Sequence, residues 1–192
     1  MPRMNLTEPA VIAAAAELAD EAGFEALSVS AVARRLEVQP ASLYSHVRDR
    51  SALLSGVQRL ALGELGGRVS QAVAGRAGSA ALRALADAHR DYAIQRPGAW
   101  SALQYPADEH TVASPEAARI ATLSIAVMRG YRIPPDDAVH AVRLVAATIN
   151  GFLALDRGQA FAHRNESAHQ SWLAAIAALD RALSTWPQGS GK

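Results

Sequence analysis

Residues 28–50, SVSAVARRLEVQPASLYSHVRDR, hold two apolar-periodic stretches with only a short join between them. In the first, Val29, Val32, Ala33 and Leu36 repeat at helical spacing behind Ser28, a residue type that caps helix N-termini. In the second, Leu43 and Val47 lie one turn apart behind Pro40, whose fixed φ suits the first helical position, with Gln39 in the capping place. Neither stretch is long enough to be stable as an isolated helix. Each must lean on a longer element, and this restricts the start of the chain to a few packed helical arrangements.

The longer element precedes them. Thr7 caps a helix with Glu8 and Pro9 in its opening turn, Val11, Ala15, Leu18 and Ala22 follow helical spacing, and Gly23 supplies the stop. Two short helices joined by a tight turn and braced by a third form a helix-turn-helix, in which the second member enters the major groove of DNA. Leu36, Val38, Leu43 and Val47 would face inward, leaving Pro40, Ala41, Ser42 and Ser45 outward. Small outward residues let the backbone and hydroxyls approach phosphates and base edges.

Charge adds locality but no overall signal. Net charge is +1, and through residue 60 six arginines (3, 34, 35, 48, 50, 59) meet seven acids (8, 17, 20, 21, 25, 37, 49). Four of those acids fall between Glu17 and Glu25, whereas residues 34–50 hold four arginines against Glu37 and Asp49. The positive residues therefore lie on the helix-turn-helix itself.

The stretch GFEALSVSAVARRLEVQPASLYSHVRDRSALL, residues 23–54, resembles the DNA-binding domain of the TetR family of bacterial transcriptional repressors. The likeness rests on Gly23, Leu27-Ser28-Val29, Val32-Ala33, Leu36, Val38, Leu43-Tyr44, His46, Arg50 and Leu53-Leu54. The chain departs from the family pattern at Glu37, where glycine is usual at the turn, at Val47, where phenylalanine is common, and at Arg50, where lysine is usual. The resemblance implies that Tyr44, His46, Arg48 and Arg50 hold phosphates and that Ser28 donates to one from its cap, with Ser30 and Ser45 in the same interface. It also implies that Gln39, Pro40, Ala41 and Ser42 face the major groove, Gln39 and Ser42 hydrogen-bonding bases and Ala41 touching a thymine methyl.

The rest of the chain reads as helix too: alanine dominates the apolar half, aromatics are 5%, and β-branched residues never alternate in runs. The expected fold is all-α, with a helix-turn-helix domain over 1–54, a helical bundle for ligand binding and dimerisation over 55–186, and a disordered tail over 187–192. Asp49 caps a fourth helix, weakened by Gly66, Gly67, Gly75 and Gly78. A fifth runs over about 79–96, a short aromatic helix ends at Pro106, and the polar loop ADEHTVAS leads to a helix over 115–130. The helix expected over 136–156 is apolar on nearly every face. The last, over about 166–184, carries Trp172, Ile176, Leu179 and Leu183 at spacings of four, three and four. These two helices predict a homodimer interface through Val142, Val145, Ile149, Trp172, Ile176, Leu179 and Leu183, or else the closure of an intramolecular bundle.

Residues 89–105 with TINGFLALDRG resemble a TetR C-terminal subfamily, more loosely than the N-terminal stretch. Tyr92, Trp100, Leu103, Tyr105, Met128 and Asn150 are the candidates to line a mostly apolar pocket for a small-molecule effector. No GxSxG, GxxxxGK[ST] or HExxH occurs, so no enzyme, metal site or cofactor is expected. The acid pairs Asp108-Glu109 and Asp136-Asp137 read as loop or helix-start charges. Without cysteine, and with His140 and Arg143 in the one stretch of membrane-span length, the chain reads as cytoplasmic. The expected function is a repressor that binds a near-palindromic operator in double-stranded DNA as a homodimer and is released by an effector. The alternative is a helical protein-interaction adaptor.

Overall fold

The structure, a computed structural model, describes residues 6–187, and within them every regular element is helical. The described residues form two compact units, one of residues 6–66 and 92–119, the other of 67–91 and 120–187. The tail expected over 187–192 lies, but for Pro187, outside the described residues.

The first unit opens with α1 (Glu8–Ala22), α2 (Val29–Arg35) and α3 (Pro40–Leu43). Thr7 Oγ1 accepts from the Ala10 N–H and Ser28 Oγ from the Ala31 N–H, so both helices start where their caps predict. The join between α2 and α3 is a Schellman turn: the Val38 N–H donates to the Ala33 carbonyl and the Glu37 N–H to that of Arg34. Glu37 takes the left-handed position of that turn with φ 55°, without the glycine that usually fills it. Val11, Ala15, Phe24, Leu27, Val32, Leu43 and Val47 close into one core with Leu53 and Val57.

Leu53 and Val57 belong to α4 (Arg50–Val73), a 24-residue helix that runs straight through Gly63, Gly66 and Gly67 and ends before Gly75. Asp49 Oδ1 caps it by accepting from the Ala52 N–H at 2.8 Å. The first unit is completed by the end of α5 (Gly78–Gln95), by α6 (Pro97–Ala102) and α7 (Glu109–Val112), and by the start of α8 (Pro115–Met128). It is larger than the N-terminal 54 residues because α6 lies directly on α1: a Cβ on Gly98 would stand 2.0 Å from the Ala19 carbonyl carbon. The polar loop ADEHTVAS is not continuous loop, since Asp108 accepts from the Thr111 N–H and starts α7 within it.

The second unit holds the remainders of α4, α5 and α8 with α9 (Ala138–Arg157) and α10 (Ala168–Ser184). Here one expectation is corrected. Val145, Ile149, Trp172, Ile176, Leu179 and Leu183 are buried within the single chain, and Val142 is half-buried, so this seam cannot be presented to a second subunit. The stripe closes α9 and α10 onto their own unit: Phe152 meets Trp172 edge to face at 5.3 Å, and the Trp172 indole N–H donates to Asp87. What α9 leaves outside is its other face, with Val139, Leu144 and Leu155 each 39–51% exposed, alongside Leu173 of α10.

Candidate nucleic-acid interface

The helix α3 is a single turn, and its position depends on its anchors. Leu43 is fully buried and Val47 nearly so, while Gln39, Ala41, Ser42, Tyr44 and Ser45 are exposed and Pro40 is half-buried. The expected outward set therefore shares one surface, with no bulky side chain on the Gln39-to-Ser42 stretch. Ser45 Oγ donates to the Ser42 carbonyl, which leaves its lone pairs outward. Ser28 Oγ is used as an acceptor by its cap, so its hydroxyl hydrogen remains available, and Ser30 is exposed beside it. Tyr44 is 56% exposed and stands clear of the core.

The arginines divide into two kinds. Arg48 is exposed and, among the described residues, pairs with neighbouring Asp49 at 2.9 Å. The Ala52 N–H, followed by Arg48, holds the Asp49 carboxyl below the usual carboxylate range. Arg50, expected to hold a phosphate, is exposed and also bound within the fold: its Nε donates to the Leu27 carbonyl at 2.7 Å and Nη2 to that of Glu25. It fastens the start of α4 to the segment before α2 and acts on the interface by positioning. Arg35 is likewise held, by Glu21 at 2.7 Å and Glu17 at 3.0 Å on α1. Those two acids stand one helical turn apart, which places both carboxylates within reach of one guanidinium and pulls the Glu21 carboxyl below its ordinary range.

Further polar anchors fix α6 at both ends, and sequence reasoning missed them. Asp20 on α1 accepts from the Gly98 and Ala99 N–H groups at 2.8 and 3.1 Å and from Arg96 Nε at 2.6 Å. Arg96 also donates to Glu64, which accepts from the Tyr92 hydroxyl. At the other end the buried Gln58 side chain of α4 donates to the carbonyls of Ala102 and Tyr105. The only signal in the sequence was a glutamine in an otherwise apolar helix face.

The expected effector residues fall in both units. Tyr92, Trp100, Leu103 and Tyr105 belong to the first unit, Met128 and Asn150 to the second. Tyr92 and Trp100 are core residues, with the Tyr92 phenol pushed up by burial and by Glu64. Tyr105 packs on Phe24 at 4.9 Å and donates to Glu25. Leu103 is half-buried, Met128 is buried, and Asn150 is half-buried. Among the described residues no group of three or more His, Asp or Glu side chains is arranged to hold a metal ion.

The chain resembles known proteins over most of its length. The profile described as "Bacterial regulatory proteins, tetR family" matches residues 11–57, and that described as "Tetracyclin repressor-like, C-terminal domain" matches 82–179. The chain is 30% identical over 161 residues to the uncharacterized HTH-type transcriptional regulator YobS of Bacillus subtilis (strain 168), covering 83% of this chain and 84% of that protein. It is 28% identical over 157 residues to the HTH-type regulator Rv0681 of Mycobacterium tuberculosis, covering 79% and 71%. Among solved structures, a variant of TetR from Acinetobacter baumannii AYE in complex with minocycline superposes with a TM-score of 0.68 at 25% identity over 94% of this chain and 96% of that one.

Proposed function

The chain belongs to the TetR family of bacterial regulatory proteins and is a DNA-binding transcriptional regulator, and from that premise we propose that it is a repressor acting as a homodimer and released by a small molecule. The observation that carries the reading is α3: one buried turn of helix whose exposed side offers Gln39, Ala41 and Ser42 between Ser28 on one flank and Tyr44, His46 and Arg48 on the other. Gln39 and Ser42 read base edges, and the flanking groups hold phosphates. On this reading residues 1–54 bind the operator and 55–186 supply dimerisation and effector response, without catalytic activity and in the cytoplasm, where the chromosome lies.

The dimer surface proposed is the face of α9 and α10 left outside their own core. It carries Val139, Leu144, Leu155 and Leu173, and Gly151 stands there with open space around the place of its missing Cβ, so a partner helix can approach closely. Residues 135–157 are long and apolar enough to cross a bilayer by composition alone, and coverage by a second copy accounts for that surface without one. Two α3 helices would then reach major grooves one helical turn apart, about 34–36 Å, so the operator is a near-palindrome. Release by an effector is supported by the minocycline complex of the A. baumannii TetR variant.

The test is fluorescence anisotropy on duplexes cut from the DNA flanking the protein's own gene, over a range of salt. Arg48→Ala removes a phosphate contact, so it should weaken cognate and random duplexes alike and make the log–log salt slope shallower by about 1 per half-site. Gln39→Ala should keep the slope and cost about 1–3 kcal/mol on the cognate duplex alone. Interchanged signatures would show that α3 does not lie in the groove as described.

A further inference from the structure

One cleft of the first unit is not used by the anchors of α6 and adjoins the proposed DNA-facing surface, with which it shares His46 and Arg48. It has a volume of about 690 Å³ and lies among the start of α1, the end of the helix-turn-helix, α4 and the segment 108–116. Ten of its fourteen lining residues are polar or charged, so it suits a hydrophilic ligand and not a lipid. A second groove of about 490 Å³ shares Glu8, Arg59 and Glu116 with it and runs over Pro9, Ile12 and Leu60.

The charges of the cleft separate into those already engaged and those left over. Asp108 accepts from Ser55 and the Thr111 N–H, and Arg48 pairs with Asp49. Arg59 helps through its charge to hold the nearby Asp108 carboxyl down, but Arg59, Glu8 and Glu116 make no hydrogen bond or ion pair among the described residues, although Arg59 and Glu116 are half-buried. A guanidinium with five donors faces the same cleft as two carboxylates without closing on either. A ligand bearing both signs of charge satisfies all three. A polyamine leaves Arg59 unpaired, and a dicarboxylate is repelled by Glu8 and Glu116.

We propose that this cleft binds an apolar α-amino acid. Its carboxylate sits on the Arg59 fork, its ammonium on Glu8 and Glu116, and its side chain along the groove over Ile12 and Leu60. Because His46 and Arg48 line the same cleft and face phosphate in the operator complex, occupancy weakens DNA binding, and linkage makes DNA weaken the ligand by the same factor. This second half rests on the DNA-binding reading above; the first half does not.

The experiment is calorimetric titration of the full chain with L-leucine at millimolar concentration, beside 4-methylpentanoate, which lacks the ammonium, and 3-methylbutylamine, which lacks the carboxylate. Leucine should bind saturably and each analogue at least about tenfold more weakly. Arg59→Gln, and separately Glu116→Gln, should weaken leucine by a similar factor, whereas Arg83→Gln, the same loss of charge on an exposed position of α5, should not. No saturable heat with leucine, or an analogue binding as tightly, overturns the proposal, and a folded Glu116→Gln decides the matter if Arg59→Gln does not fold. Anisotropy on the operator duplex with and without leucine tests the coupling: leucine bound with unchanged DNA affinity overturns the competition. A protein that binds leucine and no duplex refutes the DNA-binding reading while upholding the site.

Discussion

Single residues carry two consequences that a helix diagram hides. Glu37 sits in the left-handed region at φ 55°, a conformation that costs an L-residue about 1–2 kcal/mol and glycine little. Part of that gain is returned as unfolded-state entropy, so Glu37→Gly should raise stability by about 0.5–1 kcal/mol, seen as a higher urea midpoint at unchanged slope. A lowered midpoint would mean that the glutamate side chain itself holds the turn. Asp108 is the second case. Its carboxyl is held down at about 2, by the Ser55 hydroxyl first and the Thr111 N–H next. A depressed carboxyl stabilises the fold above its unfolded pKa and loses that contribution as pH falls through the folded one. The gap in urea midpoint between the protein and Asp108→Asn should therefore be full at pH 5 and narrow steadily towards pH 2. A gap independent of pH would exclude the ionised carboxylate as its source.

At the scale of elements, α6 is the piece whose placement is most closely specified. The first N–H groups of a helix have no partner inside it and exchange with solvent readily, yet Asp20 accepts from those of Gly98 and Ala99. Hydrogen exchange at these two amides should be as slow as in the α1 core and should become fast in Asp20→Ala. Gly98→Ala should be destabilising by about 1–3 kcal/mol, because the added Cβ meets the backbone of Ala19 and Asp20, which cannot rotate away. Glycine's tolerance in reverse, full stability with alanine, would show that α1 and α6 are farther apart than described. Such elements also mark how far sequence reading reaches. Thr7, Ser28, Pro40 and Asp49 act on N–H groups or dihedrals within three residues of themselves, and the starts of α1 to α4 were accordingly legible. The structural bonds of Arg50 were not legible because its partners are backbone carbonyls at Glu25 and Leu27, which no side-chain pattern announces. The seam of Trp172, Ile176, Leu179 and Leu183 was read as apolar, with an intersubunit seam and intramolecular closure both open, and it is buried within its own unit, since periodicity states which face is covered and not by which chain. The effector residues are no better specified by periodicity: an aromatic in a core and one in a pocket have the same spacing.

For the molecule as a whole, the two faces of α9 give opposite expectations for the same chemical change. Trp172→Glu places a charge in the closed core beside Phe152 and should unfold the second unit, a loss of about 3–5 kcal/mol or more. Leu144→Glu with Leu155→Glu alters only exposed positions of a single chain, so it should leave the helical circular dichroism intact while light scattering falls from dimer to monomer. A dimer that survives this pair would place the interface elsewhere. The exposed face has a further consequence, one of mass action. If a second copy covers that face as proposed, folding is linked to association, so the melting temperature should climb with protein concentration. On that proposal a newly made subunit carries an unprotected α9 until it meets another, and at low abundance the protein works at the dilute end of that curve. Abundance then becomes a control on function in its own right: below the dissociation constant of the dimer, a drop in synthesis disarms the protein more than proportionally, before any effector is present.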